Sequence, residues 1–267
     1  MSATNTPEQA TIAAQPNANQ PIAMVTGATS GIGLATAKAL AGLGYNLIIT
    51  GRRADRLAAL QAELTVPSLV LVFDVADREA VKSTRASLPE AWQSIDVLVN
   101  NAGNAHGLAS SENADLDDWD AMIDINVKGL LYVTKAVLPQ MVSRQSGHII
   151  NISSIAGRET YANGAVYCAS KAAVDRITAG MRIDLNPHNI KVASIAPGMV
   201  DTEFSLVRFK GDAERAGNVY KGLSPLSADD VADAVVYMVT RPAHVNIADI
   251  LILPTAQASA TVVKRVG

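Results

Sequence analysis

The feature that most restricts how this chain can fold is an apolar run that enters a glycine-rich turn and leaves it as a helix. Ile22-Ala23-Met24-Val25 has no polar alternation, the pattern of a parallel strand buried on both faces. It leads into Thr26-Gly27-Ala28-Thr29-Ser30-Gly31-Ile32-Gly33, then into a stretch in which Leu34, Ala37 and Leu40 fall near helical spacing. Glycines permit the tight turn and let the backbone approach a pyrophosphate closely. The helix that follows offers free N–H groups at its positive end. A glycine-rich turn alone is weak support for a dinucleotide site, whereas strand, turn and helix in that order are much stronger.

The same rhythm continues along the chain. Short apolar runs at 46–50, 69–75, 95–99, 148–152, 191–195 and 250–253 read as further strands. Between them, helices are expected at 55–64, 77–88, 119–141 and 227–241, with Asp55 capping the first of these. Unbroken strand–helix alternation predicts an α/β fold, a single-domain doubly wound parallel sheet of the Rossmann type. The 267 residues are 49% hydrophobic and 18% charged, enough for a sizeable core. Residues 1–20, rich in Ala, Thr, Asn, Gln and Pro and without the basic start and apolar run of a signal peptide, are expected to be a flexible tail on a catalytic domain over 21–267. A net charge of −3 argues against nucleic acid or an anionic membrane as partner. No apolar run approaches the ~18 residues of a membrane span. The one cysteine, Cys168, allows no intramolecular disulfide and fits the cytoplasm. Four scattered histidines lack metal-ligand spacing, so no metal is expected.

The second strand ends in Gly51-Arg52-Arg53. A fold that binds NAD usually places an acid there for the ribose diol. Two guanidinium groups suit a 2′-phosphate instead, and so NADP(H); the plainer alternative is two arginines that solvate a loop. Asp74, followed by Val75, ends the third strand and could hold the adenine amino group or cap a loop. The fourth strand ends in Asn100-Asn101-Ala102-Gly103, whose small and amide side chains let the backbone approach a cofactor.

Tyr167-Cys168-Ala169-Ser170-Lys171 places a tyrosine and a lysine one helical turn apart on one face. A free phenol has a pKa near ~10, and a lysine cation beside it favours the phenolate, so Lys171 is expected to bring Tyr167 toward working pH. Ser154 could polarise a carbonyl on the oxygen that Tyr167 protonates. Tyr161 has no lysine four residues on and is expected to line the substrate pocket; Cys168 is expected to serve packing.

Taken together, Thr26-Gly27-x-x-x-Gly31-Ile32-Gly33, Asn100-Asn101-Ala102-Gly103, Ser154 and Tyr167-x-x-x-Lys171 resemble the short-chain dehydrogenase/reductase family in order and spacing. The resemblance runs from about residue 22 to the C-terminus. It implies hydride transfer between NADP(H) and a carbonyl carbon, with Ser154, Tyr167, Lys171 and Asn126 catalytic. The family's spacing to the tyrosine selects Ser154 over Ser153, and its fourth position falls on Asn126, which would order a proton relay behind the lysine. It implies cofactor contacts from Gly27, Thr29, Ser30, Gly31, Ile32 and Gly33 in the turn, and from Arg52, Arg53, Asp74, Val75, Asn101, Ala102 and Gly103. Tyr167 and Lys171 join them, with Pro197, Gly198, Val200 and Thr202 beside the nicotinamide. It also implies a homo-oligomer, expected as a tetramer, with helices at 121–138 and 172–185 available to pair across a two-fold axis.

Residues 204–223 break the strand–helix rhythm and are expected to form a substrate lid, within about 200–226. Within the family, Ile48-Ile49-Thr50-Gly51-Arg52-Arg53, Val207-Arg208-Phe209-Lys210-Gly211-Asp212 and Pro242-Ala243-His244-Val245-Asn246-Ile247 resemble the NADP-dependent 3-hydroxy acid (serine and allo-threonine) dehydrogenases. That branch implies a small 3-hydroxy or 3-oxo acid, or an acidic aldehyde, as substrate. Arg208, Arg158 and Tyr161 are the candidate substrate contacts, since a planar guanidinium can hold a carboxylate by two parallel bonds. Either arginine could instead pin the lid to a carboxylate such as Asp201, Glu203 or Asp212. Alternatives in function are a reductase of another small carbonyl, such as sulfoacetaldehyde or a neutral ketone, and a non-catalytic NADPH-binding regulator.

Overall fold

The apolar runs pair into one sheet because each of them has hydrophobic side chains on both faces. In the computed structural model, which describes residues 15–266, β1 (Ile22–Val25), β2 (Asn46–Gly51), β3 (Ser68–Val72), β4 (Ile95–Asn100), β5 (Gly147–Ile152), β6 (Ile190–Pro197) and β7 (Asp249–Ile252) form a seven-stranded sheet in the order β3-β2-β1-β4-β5-β6-β7. Every pairing is parallel. Alternate strand residues feed two cores. Ala23, Val25, Leu47, Ile49, Val97 and Val99 face one side, where α1 (Gly31–Gly42), α2 (Ala54–Glu63) and α9 (Ala228–Val239) close over them. Ile22, Met24, Ile48, Leu69, Leu71, Ile95 and Leu98 face the other, under α3 (Arg78–Ala86) and α5 (Leu130–Arg144). Each fully buried Leu or Ile removes enough apolar area to contribute about 1.5–3 kcal/mol, so the sheet's middle layer carries most of the fold's hydrophobic stabilisation.

Several boundaries differ from the sequence expectation, each for a local reason. The helix expected at 119–141 starts earlier, as α4 (Leu116–Ile123), because Asp115 accepts a hydrogen bond from the Asp117 N–H and caps it. It then loosens into a π-helical turn over Asp124–Gly129 before continuing as α5 to Arg144. Asp55 does not cap α2; it lies inside the first turn, and Arg53 holds the capping position without a side-chain bond. β3 ends at Val72, so Asp74 sits beyond the strand and accepts the Ala76 N–H at 2.9 Å. Of the expected N-terminal tail, residues 1–14 lie outside the described residues. Residues 15–20 are tied down, with the Asn46 side chain bonded to the Asn17 N–H and carbonyl and to the Gln20 carbonyl. The expected lid is not a plain loop. It holds two short helices, α7 (Phe204–Arg208) and α8 (Ala213–Asn218), the second capped by Asp212.

A buried polar ladder crosses the strand ends. Asn100 on β4 donates to Asn151 on β5 and to Thr134 on α5, both at 2.9 Å. Asn151 in turn donates to Thr178 on α6 (Ala165–Leu185) at 2.9 Å. These side-chain bonds fix which helix lies over which strand, although the Asn100 Oδ1 has no partner among the described residues.

His148 on β5 is a different kind of buried polar group. Its Nε2 has no partner among the described residues, and burial, with Lys191 nearby, lowers its pKa to about 3. An unfolded histidine takes up its proton near ~6.5, so the unfolded chain binds more protons than the folded one between those values. Stability should therefore fall as pH drops from about 6.5 toward 3, by up to about 1.4 kcal/mol per pH unit from this group. Urea unfolding of the wild type and of His148→Gln across that range measures it: the variant should show the shallower acid slope.

Candidate active site

The site opens where the sheet order reverses, between β1 and β4 on the carboxyl side of the strands, the place at which open α/β sheets hold ligands. Gly27 and Gly31 have φ +65° and +52°, a backbone that favours glycine. A Cβ at Gly27 would lie 3.0 Å from the Ala102 Cα, so the turn can pack this tightly against the loop after β4 only without one. Asn101 joins the same two segments: its Nδ2 donates to the Thr26 and Gly27 carbonyls at 2.9 and 3.2 Å. The Thr26 Oγ1 accepts the N–H groups of Asn101 and Ala102, each at 3.0 Å.

A cavity of about 560 Å³ runs from Arg52 and Arg53 at one end to Tyr167 and Lys171 at the other. Of the cofactor residues expected from sequence, Gly27, Thr29, Ser30, Gly31 and Ile32 line it, as do Asp74, Val75, Asn101, Ala102, Gly103, Pro197, Gly198, Val200 and Thr202. Gly33 does not; it packs inward against the Gly27 carbonyl and the Asn101 amide. The cavity's length, with glycines in the middle and guanidinium groups at the far end, fits a phosphorylated dinucleotide. The two arginines are engaged differently. Arg52 is 62% exposed and pairs with Asp74 at 3.2 Å. Arg53 bonds to the hydroxyls of Thr29 and Ser30 and to Glu203.

At the other end, Tyr167 and Lys171 are both buried on α6. The Lys171 Nζ donates to the Ile152 carbonyl at 3.0 Å, and burial lowers its pKa to about 8. Burial raises the Tyr167 phenol well above its usual value; the hydrogen bond from Ser154 and the nearby Arg208 guanidinium oppose that rise. The expected downward pull of Lys171 on Tyr167 is thus not what governs the phenol here, because removal from water favours the neutral form of both groups. Ser154 holds its Oγ in place by accepting the Ala156 N–H at 3.1 Å, and its backbone begins a short turn over Ile155–Gly157.

Asn126 is buried, in the π-helical turn. Its amide brackets the Asn104 peptide, accepting the N–H and donating to the carbonyl at 2.8 Å each, and donates to Ser170 at 3.0 Å. Gly103 fits between Asn126 and Lys171, where a Cβ would meet the Asn126 Oδ1 at 3.0 Å and the Lys171 Nζ at 3.3 Å. π-Helical turns inside α-helices gather at functional sites, and this one turns the Asn126 amide onto the loop that carries Gly103.

Of the candidate substrate contacts, Tyr161 and Arg208 line the cavity. The Arg208 guanidinium stands 5.4 Å from the Tyr161 ring and 5.5 Å from the Tyr167 ring, and its Nε donates to the Gly107 carbonyl at 3.1 Å. Arg158 does not line the cavity. It turns away to an ion pair with Asp249 on β7, which corrects the expectation that it reads the substrate: a carboxylate two strand ends away already holds it. Cys168 is buried in a cluster with Tyr167, Ala105 and Met122. Phe204, at 5.6 Å ring to ring from Tyr167, escaped the sequence reading because no motif marks a lid residue.

The family model described as short chain dehydrogenase matches residues 21–212. The protein belongs to the short-chain dehydrogenase family. This short-chain dehydrogenase is 48% identical over 240 residues to the NADP-dependent 3-hydroxy acid dehydrogenase YdfG of Salmonella typhi, covering 90% of this chain and 97% of that protein. It is 44% identical over 237 residues to the serine 3-dehydrogenase of Rhizobium radiobacter, covering 89% and 95% of the two chains. Among solved structures it resembles the closed form of serine dehydrogenase complexed with NADP+, with a TM-score of 0.88, 44% identity, and 92% and 100% of the two chains covered. Among the described residues, no helix is long and apolar enough to cross a membrane, and no group of three or more His, Cys, Asp or Glu side chains could hold a metal.

Tyr167→Phe removes only the transferable proton from this site. The variant should bind NADPH as the wild type does, measured by fluorescence titration. Its turnover with carbonyl substrates should fall by about 10²-fold or more.

Proposed function

We infer that this short-chain dehydrogenase is an NADP-dependent oxidoreductase acting on a small 3-hydroxy acid, or in reverse on its 3-oxo counterpart or an acidic aldehyde. The observation that carries the substrate class is Arg208: a guanidinium on the lid, lining the cavity within 5.5 Å of the Tyr167 ring. A carboxylate held there would place its neighbouring carbonyl beside the catalytic hydroxyls. The names of the relatives, NADP-dependent 3-hydroxy acid dehydrogenase and serine 3-dehydrogenase, support the same reading.

In this reading each side chain has one task. The bound cofactor accepts or supplies the hydride at the substrate carbon. On reduction Tyr167, which burial favours as the neutral phenol, gives its proton to the carbonyl oxygen; on oxidation its phenolate takes the proton of the substrate hydroxyl. Ser154 holds that oxygen through its hydroxyl. Lys171 keeps a charge next to the cofactor ribose and Tyr167, and Asn126 holds the Asn104 peptide and with it the wall of the pocket. Arg52, with a single carboxylate partner and an exposed guanidinium, is the readier of the two arginines for the 2′-phosphate. The hydroxyls of Ser154 and Tyr167 and the amine of Lys171 meet in one cavity, which favours turnover over a purely regulatory role.

The finer readings are a catalytic domain over 21–267, from the strand–helix rhythm that begins there, a cytoplasmic protein, from the single cysteine, and a homotetramer, from the family resemblance. Uncovered apolar side chains at Ile183 on α6 and Leu251 on the sheet-edge strand β7 support the oligomer. Sedimentation at micromolar concentration should give a single species of four chains.

Arg208→Ala tests the substrate reading. KM for serine or a 3-oxo acid should rise about 10- to 100-fold, in line with loss of a charge-assisted bond of about 1.5–3 kcal/mol. A neutral ketone of similar size should be spared. Equal loss on both substrates, or better wild-type turnover of neutral carbonyls than of acids, would sink the hydroxy acid assignment.

A further inference from the structure

Glu203 has no part in the reaction as described, yet through Arg53 it is a charged point of contact between the lid and the cofactor turn, next to Thr202, which lies against Gly31. It precedes Phe204, the first residue of α7, and holds that helix's capping position. Its two carboxylate oxygens go to different guanidinium groups: Oε2 accepts from Arg53 at 2.9 Å and Oε1 from Arg56 at 2.6 Å. Both arginines lie about 150 positions away in sequence, at and just inside the start of α2. The two cations hold the Glu203 carboxyl below the usual carboxylate range.

The far side of Arg53 makes this more than a surface ion pair. Its Nε and Nη2 donate to the Thr29 hydroxyl at 3.1 and 2.7 Å, and Nη2 donates to the Ser30 hydroxyl at 2.8 Å. Every guanidinium nitrogen of Arg53 is engaged, so the side chain is a strut between the glycine turn and the lid rather than a free cation. A lone exposed pair contributes little. A carboxylate shared by two guanidiniums, one of them locked by two hydroxyls, has far fewer ways to move.

On the lid side, the helix that begins one residue after Glu203 carries both groups that face the catalytic tyrosine. Phe204 lies 5.6 Å from the Tyr167 ring, and Arg208 lies between Tyr161 and Tyr167. At its other end α7 is held through Arg208, whose carbonyl accepts the Gly107 N–H at 2.9 Å while its Nε donates to the Gly107 carbonyl. The helix is short, so its two ends set where Phe204 and Arg208 stand.

We propose that Glu203 is a positioning residue for the substrate: through Arg53 and Arg56 it ties the lid helix to the cofactor turn, and so sets Phe204 and Arg208 against Tyr167. The arrangement joins the arginines at the cofactor's phosphate end to the substrate end by one continuous line of contacts. The proposal rests on the reading of residues 200–226 as a substrate lid.

The test uses the full chain with Glu203→Gln, Arg56→Gln and the double variant. Arg56→Gln breaks the same contact from the α2 side, which covers the case in which a change at 203 impairs folding. Three quantities are read: the rate of tryptic cleavage within the lid at Lys210 and Arg215, the dissociation constant of NADPH, and steady-state constants for the best acidic substrate of a small-carbonyl panel. Each single variant should speed lid cleavage and raise substrate KM by about three- to tenfold, with kcat and the NADPH constant within about twofold of wild type. The double variant should be no worse than the more affected single, because the two changes remove one shared contact. Wild-type lid cleavage and KM in both singles would overturn the proposal. So would additive effects in the double variant, or an NADPH constant that rises in step with KM, which would place Glu203 in cofactor binding instead. If no carbonyl on the panel is turned over, the function proposed above fails, and lid cleavage with NADPH binding still decides the role of Glu203.

Discussion

Two hydrogen bonds from one amide hold the working parts of this molecule together. Asn101 donates to the carbonyls of Thr26 and Gly27 across the point at which the strand order reverses. At such a point the connections of neighbouring strands diverge to opposite faces and leave a crevice between them. Without a cross-tie the crevice would be lined by two independent loops. The amide makes them one surface, with the glycine turn of β1 on one side and the loop that carries Gly103 on the other. Gly103 then reaches Asn126 and Lys171, so the cofactor end and the proton-transfer end are set by the same short segment. The buried ladder through Asn100, Asn151 and Thr178 continues this order one layer deeper and anchors α6, the helix that carries Tyr167 and Lys171.

Charge in the pocket is governed by burial before it is governed by pairing. Tyr167 and Lys171 both lose water, which favours a neutral phenol and a neutral amine. With the amine near pKa 8, protonated and neutral forms are both accessible close to neutral pH, which suits a group that must stabilise charge without trapping it. Arg208 is the second cation near Tyr167, and it arrives on the lid. The electrostatics of the acid are therefore completed by an element outside the sheet, and binding and chemistry share one guanidinium.

Much of this was legible in the sequence. The strands could be read because each is apolar without alternation, a pattern that two-sided burial produces and that the two cores explain residue by residue. The glycine turn, Asn101, Ser154, Tyr167 and Lys171 could be read because their chemistry demands particular residues at particular spacings. Other features depend on contacts that spacing does not encode. Arg158 was expected to face substrate, and only the fold brings Asp249 to it. Asp55 looked like a cap because its residue type suits one, while the chain actually turns at Arg53. Residues 15–20 looked like tail because nothing nearby in sequence reveals that Asn46 binds them. The lid was legible as an interruption, but its helices, its phenylalanine and its tie to α2 were not.

The π-helical turn at Asp124–Gly129 has a consequence for how this region can change over evolutionary time. A π turn holds one residue more than the α turn it replaces. Deleting a single residue there would restore an unbroken α-helical ladder, locally the more comfortable backbone. Because the turn takes up its extra residue locally, the helical segments on either side would keep the faces they now present. Val133, Val137 and Met141 would stay in the core beneath the sheet, while Asn126 would lose the bulge that sets its amide against Asn104. The fold could therefore tolerate a deletion that the site could not. The extra residue is thus kept by what Asn126 does and not by helix packing, and a one-residue gap inside this turn should fall in related chains that lack the asparagine.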